Sequence, residues 1–413
     1  MAHEPPSLAG AAWLAEPGVR RVFAAIGRDG DEARIVGGAV RNALLGLPIK
    51  DVDFATTATP AMVVARAAAA GLRTVPTGID HGTITVLAAG GAYEVTTLRE
   101  DILTDGRHAV VRFGRDWEAD ARRRDFTMNA LSVDAAGRVH DPVGGYADIV
   151  ARRVRFIGDP AMRIAEDRLR VLRFFRLHAW YGAGDLDPAG LAASIAARDG
   201  LRALSAERIG QEMCRLVVAP RAVETVAAMD AAGILAVVLD GAADPAAFAR
   251  LVGFEAAAGL AAAVAVRLAA LACRSEAEVT RIPRRLRLTH AQPPRIAAAV
   301  AAAVQLADPP GPRAARALVY RPGPEAFIDG VALAVAAGRF PARTGVDLVR
   351  LAEGWPPPRF PLAGRDVVAA GVPAGPAVGA VLAELERWWV EGDFAADEAA
   401  LRARLQQMAA AAQ

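Results

Sequence analysis

The sequence predicts an α+β protein, an N-terminal mixed α/β head followed by a helical remainder. Three observations carry that prediction. Strand-like runs and glycine turns are confined to the first 150 or so positions. Helical patterns run from about Asp159 to the C-terminus. Alanine dominates a composition with 54% hydrophobic and only 6% aromatic residues, which favours packed helices over sheets. At 413 residues the chain exceeds what one hydrophobic core usually supports. We therefore expect more than one domain, with a mixed α/β head over 1–150 and helical regions over 151–240 and 241–413.

The elements follow in order. "ARIVGG" is a short β-rich run into a glycine pair, and "AVRNALLG" has helical spacing ended by Gly46 with Pro48 beyond. "KDVDFAT" alternates like a strand. "GTITVLAAGGAYEVTTLR" reads as two strands joined by a Gly-Gly turn. Beyond Asp159 the helical patterns are broken at "ADPPGPRA" (307–314) and "GWPPPRFPLAG" (354–364), expected as turns or linkers. No internal repeat is visible.

Composition narrows the function classes. Cys214 and Cys273 lack metal-ligand spacing, so a zinc site or disulfide framework is not expected and a reducing cytoplasm fits. The start "MAHEPPSLAG" lacks the pattern of a signal peptide. The apolar run Ala256 to Val266, between Glu255 and Arg267, is too short for a bilayer, so no membrane association is expected. The net charge is only +2, yet basic residues cluster in "ARRRDF", "ARRVRF", "RLRVLRFFRLH" and "RIPRRLRLTH". Such patches suit a polyanion held at one face, and equally suit solvated helix surfaces.

The chemistry is concentrated in "GGAVRNALLGLPIKDVD" (37–53). Asp51 and Asp53 on a strand project to one face with Cα atoms roughly 6.6 Å apart, because side chains alternate with period two. Paired oxygen ligands suit Mg²⁺, and two such ions about 3.5–4 Å apart are the usual apparatus of phosphoryl and nucleotidyl transfer. Gly37 and Gly38 let a backbone approach phosphate oxygens, with N–H groups at the following helix start favouring anions. Asp-x-Asp also occurs in surface turns and Gly-Gly in many loops. The order strand, Gly-Gly, helix, turn, strand with Asp-x-Asp is far more specific.

Those residues, with "HGTITV", "YEVTTLR", "RRRDFTMNAL", "DPVGGYADI", "RFIGDPAMRIAEDRLRVLRFFR" and "SAERIGQEM", resemble the class II tRNA nucleotidyltransferases and bacterial poly(A) polymerases of the polymerase β superfamily. The motifs keep the family's order across roughly Ile35 to Met213, with a weaker likeness in "PLAGRDVVAAGVPAGPAVGAVLAEL". The resemblance implies a catalytic head over 1–150, a neck with a nucleotide-selecting helix over 151–240 and a tRNA-binding body and tail over 241–413, in a Mg²⁺-dependent enzyme that adds nucleotides from CTP and ATP to tRNA 3′ ends. It implies metal ligation by Asp51 and Asp53, a third catalytic carboxylate at Glu94, and nucleotide contacts from Gly37, Gly38, Arg41 and Arg124. Asp125 and Asn129 are expected to fasten the arginine motif to the sheet. The polar stretch between "TTLR" and "RRRDF" resembles the family's flexible loop. One departure is Asn42, where the family usually carries Asp.

In "EDRLRVLRFFR", Asp167 and Arg170 at i and i+3 are expected on one helix face, continued by Arg173 and Arg176. An aspartate can accept from the exocyclic amine of cytosine or adenine while an arginine donates to the neighbouring ring nitrogen. Uracil and guanine reverse both groups, so the protein would act as its own template for C and A. A salt-bridged helix is the plain alternative. At the level of function two rivals stay open: a poly(A) polymerase, and a non-catalytic RNA-binding module that kept the fold. No basic stretch such as poly(A) polymerases carry follows the Asp-x-Asp strand, and binding alone needs neither paired aspartates nor an Asp/Arg pair.

Overall fold

The structure is a computed structural model describing residues 4–78, 82–105, 108–273 and 275–411. Ile79, Asp80 and His81, which adjoin or begin the "HGTITV" motif, and Gly106 and Arg107 of the expected loop lie outside the described residues. The chain divides into two compact units, Met1–Gly241 and Ala242–Gln413.

The first unit is built on a seven-stranded sheet. Its strands are β1 (Ala33–Val36), β2 (Asp53–Thr56), β3 (Arg73–Gly78), β4 (Thr83–Ala88), β5 (Gly91–Thr97), β8 (Ser132–Val133) and β9 (Val139–His140), in the order β3-β4-β5-β2-β1-β8-β9. β6 (Arg99–Asp105) and β7 (His108–Phe113) form a separate antiparallel pair in the stretch expected as a loop. All pairings in the main sheet are antiparallel except β2 with β5, which run parallel. The β4–β5 hairpin turns through Ala89 (φ 47°) and Gly90 (φ 81°), two left-handed residues in succession, as a two-residue hairpin requires.

One sheet face is covered by α1 (Pro17–Ile26) and α3 (Pro60–Ala69), which pack on each other and on β4. Both start with proline at the first turn, and Thr59 caps α3 by accepting from Met62 N–H. The aromatic centre is Phe54, fully buried, with Phe23 edge-on at 4.9 Å and Tyr93 at 6.1 Å between ring centroids. Truncating such a residue to Ala costs about 3–5 kcal/mol.

β1 and β2 decide where the aspartates sit. Val36 pairs with Asp53, and the chain then turns at Gly37 into α2 (Gly38–Leu44). Asp51 therefore finds no ladder partner and precedes β2 instead of lying on it, a correction to the strand expected over both aspartates.

The other helices of this unit are α4 (Trp117–Arg122), which precedes β8, and then α5 (Gly145–Val150), α6 (Pro160–Glu166), α7 (Leu169–Tyr181), α8 (Pro188–Ala197) and α9 (Ala206–Val217), followed by two more before Gly241. α7 is fastened to the sheet region by a stack: Phe174 lies 5.5 Å from Phe156 and 6.3 Å from Phe126, all three buried. Phe126 belongs to the arginine motif, so the motif and α7 share one core.

The second unit is helical from Pro245–Ala258 to Glu398–Ala411. The two proline-rich breaks fall between helices, after Gln305 and after Gly354. One core gathers Phe254, Ile296, Phe327, Val331 and Val349; a second gathers Leu385, Trp389, Leu401 and Leu405. Small residues bring helices close: a Cβ on Gly330 would stand 2.6 Å from Ala302 Cβ. Among the described residues no helix is long and apolar enough to cross a membrane.

Candidate active site

The sheet brings three carboxylates together. β2 and β5 are parallel with Phe54 opposite Val95, so Asp53 and Glu94, each one residue earlier, stand side by side on one face. Asp51 lies two residues before Asp53, and all three residues are exposed as a whole, although the Asp53 carboxylate itself is partly desolvated by the atoms around it. Asp53 holds its proton more tightly than an ordinary aspartate, first because of burial of the carboxylate and then because Glu94 and Asp51 repel its charge; Arg124 opposes the shift. Among the described residues no three His, Cys, Asp or Glu side chains close to metal-ligating distance. Carboxylate oxygens crowded at one sheet face are the donor chemistry that suits a hard divalent cation, so the residues fit the ion expected at Asp51 and Asp53.

Next to them the Gly37–Gly38 corner is shaped for close approach. Gly37 has φ 70° and ψ −122°, a region that only glycine enters without strain. A Cβ there would stand 3.6 Å from Arg124 Nη1 and 3.8 Å from the Asn129 carbonyl oxygen. Arg124 thus borders the glycine corner, steadied by Nε and Nη2 bonds to Asp120 of 3.3 and 3.1 Å.

Arg41 takes a different place. It is buried, its guanidinium lies 3.7 Å above the Tyr181 ring, and Nη1 donates to Asn129 Oδ1 at 2.6 Å. Nε and Nη2 donate to Asn42 Oδ1 at 3.2 and 2.9 Å, and Asn42 Nδ2 donates to the Pro48 carbonyl at 2.9 Å. Asn42 therefore gives Arg41 the forked acceptor an aspartate would give, without the charge, while its amide ties down the turn before the aspartates. Burial and the nearby Arg176 and Arg173 lower the Arg41 pKa, against the opposing pull of Tyr181 and Asp125.

Asn129 also donates to Asp125 at 3.3 Å, and Asp125 accepts from Arg173 Nε at 2.7 Å. A chain of polar contacts, Arg41–Asn129–Asp125–Arg173, thereby connects the glycine motif, the arginine motif and α7. Although burial alone would raise it, the Asp125 pKa is held below the ordinary carboxylate value by Arg173, Asn129 and its own Phe126 N–H.

The expected Asp167/Arg170 pair is rearranged. Asp167 is not on the helix with Arg170; its backbone is extended (φ −151°, ψ 107°) between α6 and α7. The physical reason is capping: Asp167 Oδ1 accepts from Leu169 N–H at 3.0 Å, and its carbonyl from Arg170 N–H at 3.0 Å. Asp167 Oδ2 accepts from Arg208 Nη2 at 2.7 Å, whereas Arg170 Nη1 donates to the Arg163 carbonyl at 2.8 Å and to Glu166. Arg176 is paired with the buried Glu212. The salt bridge of the plain alternative is replaced by two separate pairs.

Arg208 and Glu212 received no role from the sequence. They stand i and i+4 on α9, in "SAERIGQEM", and spacing alone showed that they share a face. Arg163 was likewise missed; its Nη2 donates to the Arg123 and Arg124 carbonyls, the latter at 2.6 Å.

The family described as the poly(A) polymerase head domain matches residues 33–155. The mitochondrial CCA tRNA nucleotidyltransferase 1 of Homo sapiens is 44% identical over 197 residues, 46% of this chain and 45% of that protein. The CCA-adding enzyme of Streptococcus pyogenes is 42% identical over 202 residues, 48% of this chain and 49% of that protein. The chain thus spans about half the length of the curated relatives it matches. The crystal structure of the Bacillus stearothermophilus CCA-adding enzyme in complex with CTP is similar throughout, with a TM-score of 0.75, 28% identity, and 95% and 96% of the two chains covered. Residues 33–155 thus match the poly(A) polymerase head domain family, and the chain over nearly its whole length is similar to a CCA-adding enzyme.

Proposed function

We propose that the protein adds C, C and A to the 3′ end of tRNA from CTP and ATP, without a nucleic-acid template and with release of pyrophosphate. The observation that carries this is the meeting of Asp51, Asp53 and Glu94 with the Gly37–Gly38 corner and Arg124. The names of its relatives point to the same reaction.

Asp51 and Asp53 would hold Mg²⁺. When bound, such ions lower the pKa of the attacking hydroxyl and steady the charge on the phosphates. Glu94, beside Asp53, is placed to take part in holding or deprotonating the RNA 3′ end. The Gly37 and Gly38 backbone admits the triphosphate closely, and Arg124 offers its charge at the same corner. Arg41 acts from below, as a fixed buried charge that holds Asn129 and the turn in register.

Base reading falls to Asp167 and Arg170. A carboxylate has about four lone-pair sites; Asp167 uses one oxygen on Leu169 N–H and the other on Arg208, leaving capacity for a base amine. Arg170 has donors beyond the one engaged by Glu166 and the Arg163 carbonyl. Arg173 and Arg176, fixed by Asp125 and Glu212, supply positive charge and rigidity to the same helix. Cys214 and Cys273 form no disulfide, in keeping with the cytoplasm as the proposed compartment.

Purified protein incubated with tRNA lacking its 3′ CCA and with each labelled nucleotide tests the proposal. Two C additions with CTP alone, one A only after them, and arrest at that length are the expected outcome. Long A tails on unstructured RNA would favour the poly(A) reading instead.

A further inference from the structure

A cavity of about 660 Å³ lies in the first unit beside the glycine corner, lined by β1, α4, β8, β9 and the N-terminal residues from Glu4. The register fixes its position. Asp53 pairs with Val36, and Val36 pairs with Ser132, so these three side chains share one sheet face; Val36 and Ser132 line the cavity. With strands about 4.8 Å apart, the cavity begins one strand from Asp53 and reaches about 10 Å from it. The other carboxylate, Glu94, stands on the opposite side of Asp53, on β5. Arg124 belongs to both places: it borders Gly37 and lines the cavity.

The cavity wall is rich in donors and poor in free acceptors. Arg34 stacks on Trp117 at 4.0 Å, and Arg34 Nε and Trp117 Nε1 are both buried without a hydrogen-bond partner. Arg138 is exposed, and no ion pair or hydrogen bond engages its side chain among the described residues. The acids in the wall are mostly engaged. Asp120 pairs with Arg123 and Arg124, Asp141 accepts from the Gly145 and Tyr146 N–H groups, and Glu118 pairs with Arg122. Only Glu4, at the exposed rim, is an unengaged carboxylate here. His140 is held by Asp134. Arg34 Nη2 pairs with Glu32 at 2.7 Å and Arg124 with Asp120, so the donors in the wall without a partner among the described residues are the Arg138 guanidinium, Arg34 Nε and Trp117 Nε1, and leaving buried donors unpaired is a sustained cost.

Nucleotidyl transfer produces an anion at each cycle. The RNA hydroxyl oxygen bonds to the α-phosphorus and gives up its proton, for which Glu94 is the placed acceptor, as the bond between the α-phosphorus and the bridging oxygen breaks and pyrophosphate leaves on the side away from the incoming hydroxyl. Resting on the function proposed above, we propose that this cavity receives the departing pyrophosphate, handed from the glycine corner by Arg124 to Arg34 and Arg138. The shared chemistry is a phosphoanhydride anion, and a second source of it is the triphosphate tail of the incoming nucleotide. The two sources separate kinetically, because a product site moves pyrophosphate affinity while leaving KM for CTP alone.

The test uses the full chain and inorganic pyrophosphate. Arg138→Glu and Arg34→Gln are compared with wild type by calorimetric titration of pyrophosphate and by product inhibition of C addition. Arg138 is exposed, so its variant keeps the fold; circular dichroism and melting check Arg34→Gln. The expected result is a rise of about three- to tenfold in pyrophosphate Kd for each variant, matched in the inhibition constant, with KM for CTP unchanged, the size of a partly screened charge contact. Unchanged pyrophosphate affinity in a folded Arg138→Glu protein overturns the proposal. An equal rise in KM for CTP also overturns it, since the cavity would then hold the incoming triphosphate. Wild type that binds pyrophosphate in an Arg138-dependent way yet adds nothing to RNA supports the anion site and refutes the function it was derived from.

Discussion

At the scale of single residues, the informative ones are those whose surroundings oppose their own charge. Asp53 is the clearest. Burial, Glu94 and Asp51 raise its pKa in the folded chain above the ordinary 3.8. The sign follows from linkage: a raised folded pKa contributes stability that is fully present below the unfolded value and lost as pH rises through the folded one. At neutral pH the ionised Asp53 therefore weakens the fold in the absence of a cation. Asp53→Asn should reduce kcat to below about a tenth of wild type, a loss above ~1.4 kcal/mol. The same variant should melt higher in chelator, by about 1–2 °C at about pH 7 once solvent screening is allowed for, with the gap closing near pH 4. Thermal melts at the two pH values check this; an Asn variant that melts lower at neutral pH would show that the carboxylate is held by contacts and not strained by neighbours. Asn42 teaches the complementary lesson. Its departure from the family pattern was visible in the sequence, but that its amide satisfies both Arg41 and the Pro48 carbonyl could be seen only once the turn was folded.

At the scale of elements, local patterns were legible and long-range partners were not. The glycine-ended helix α2, the hairpin β4–β5 and the two proline breaks follow from turn chemistry and periodicity, which act within a few residues. β3, β6 and β7 escaped notice because their sequences carry proline, charge and threonine in place of clean alternation. Asp167 was read onto α7 because i, i+3 spacing suits a helix; the fold places it just before α7, where its carboxylate satisfies the Leu169 N–H that the first turn leaves orphaned. That double duty sharpens what Asp167→Ala should do. Losing the cap costs about 1 kcal/mol of stability. If Asp167 also accepts from the base amine, discrimination falls as well, since a hydrogen bond to a charged group is worth about 1.5–3 kcal/mol, or roughly ten- to a hundredfold. The ratio of kcat/KM for CTP and UTP should shrink by that factor, with measurable U incorporation, while Asp51 and Asp53 keep the chemistry running. A folded variant that excludes UTP as strictly as the parent would place base reading elsewhere, with Arg208 and Asp167 serving only to join α9 to α7.

At the scale of the whole molecule, the chain separates work between two units with independent cores. The first unit, Met1–Gly241, contains every residue assigned to nucleotide chemistry and closes its own interior around Phe54, Phe126 and Phe174. The second, Ala242–Gln413, closes two further clusters around Phe327 and Trp389. A chain ending at Gly241 should therefore fold by itself, showing cooperative thermal unfolding and retained helical and sheet signal by circular dichroism. It should still bind CTP, because the glycine corner, Arg124 and α7 are all present. Its hold on tRNA should be weaker, since RNA affinity is a sum of phosphate contacts and 19 of the 47 arginines are gone. The loss has a readable form: each phosphate contact removed lowers the slope of log affinity against log salt by about 0.7–0.9. Measuring CTP and tRNA binding for the long and short chains over a range of salt separates the two roles. A short chain with normal CTP affinity and a salt slope reduced by several contacts matches a head that does chemistry and a helical remainder that grips RNA. A short chain with unchanged tRNA affinity and slope would confine RNA recognition to the first unit, where the basic stretches 151–156 and 168–178 already lie.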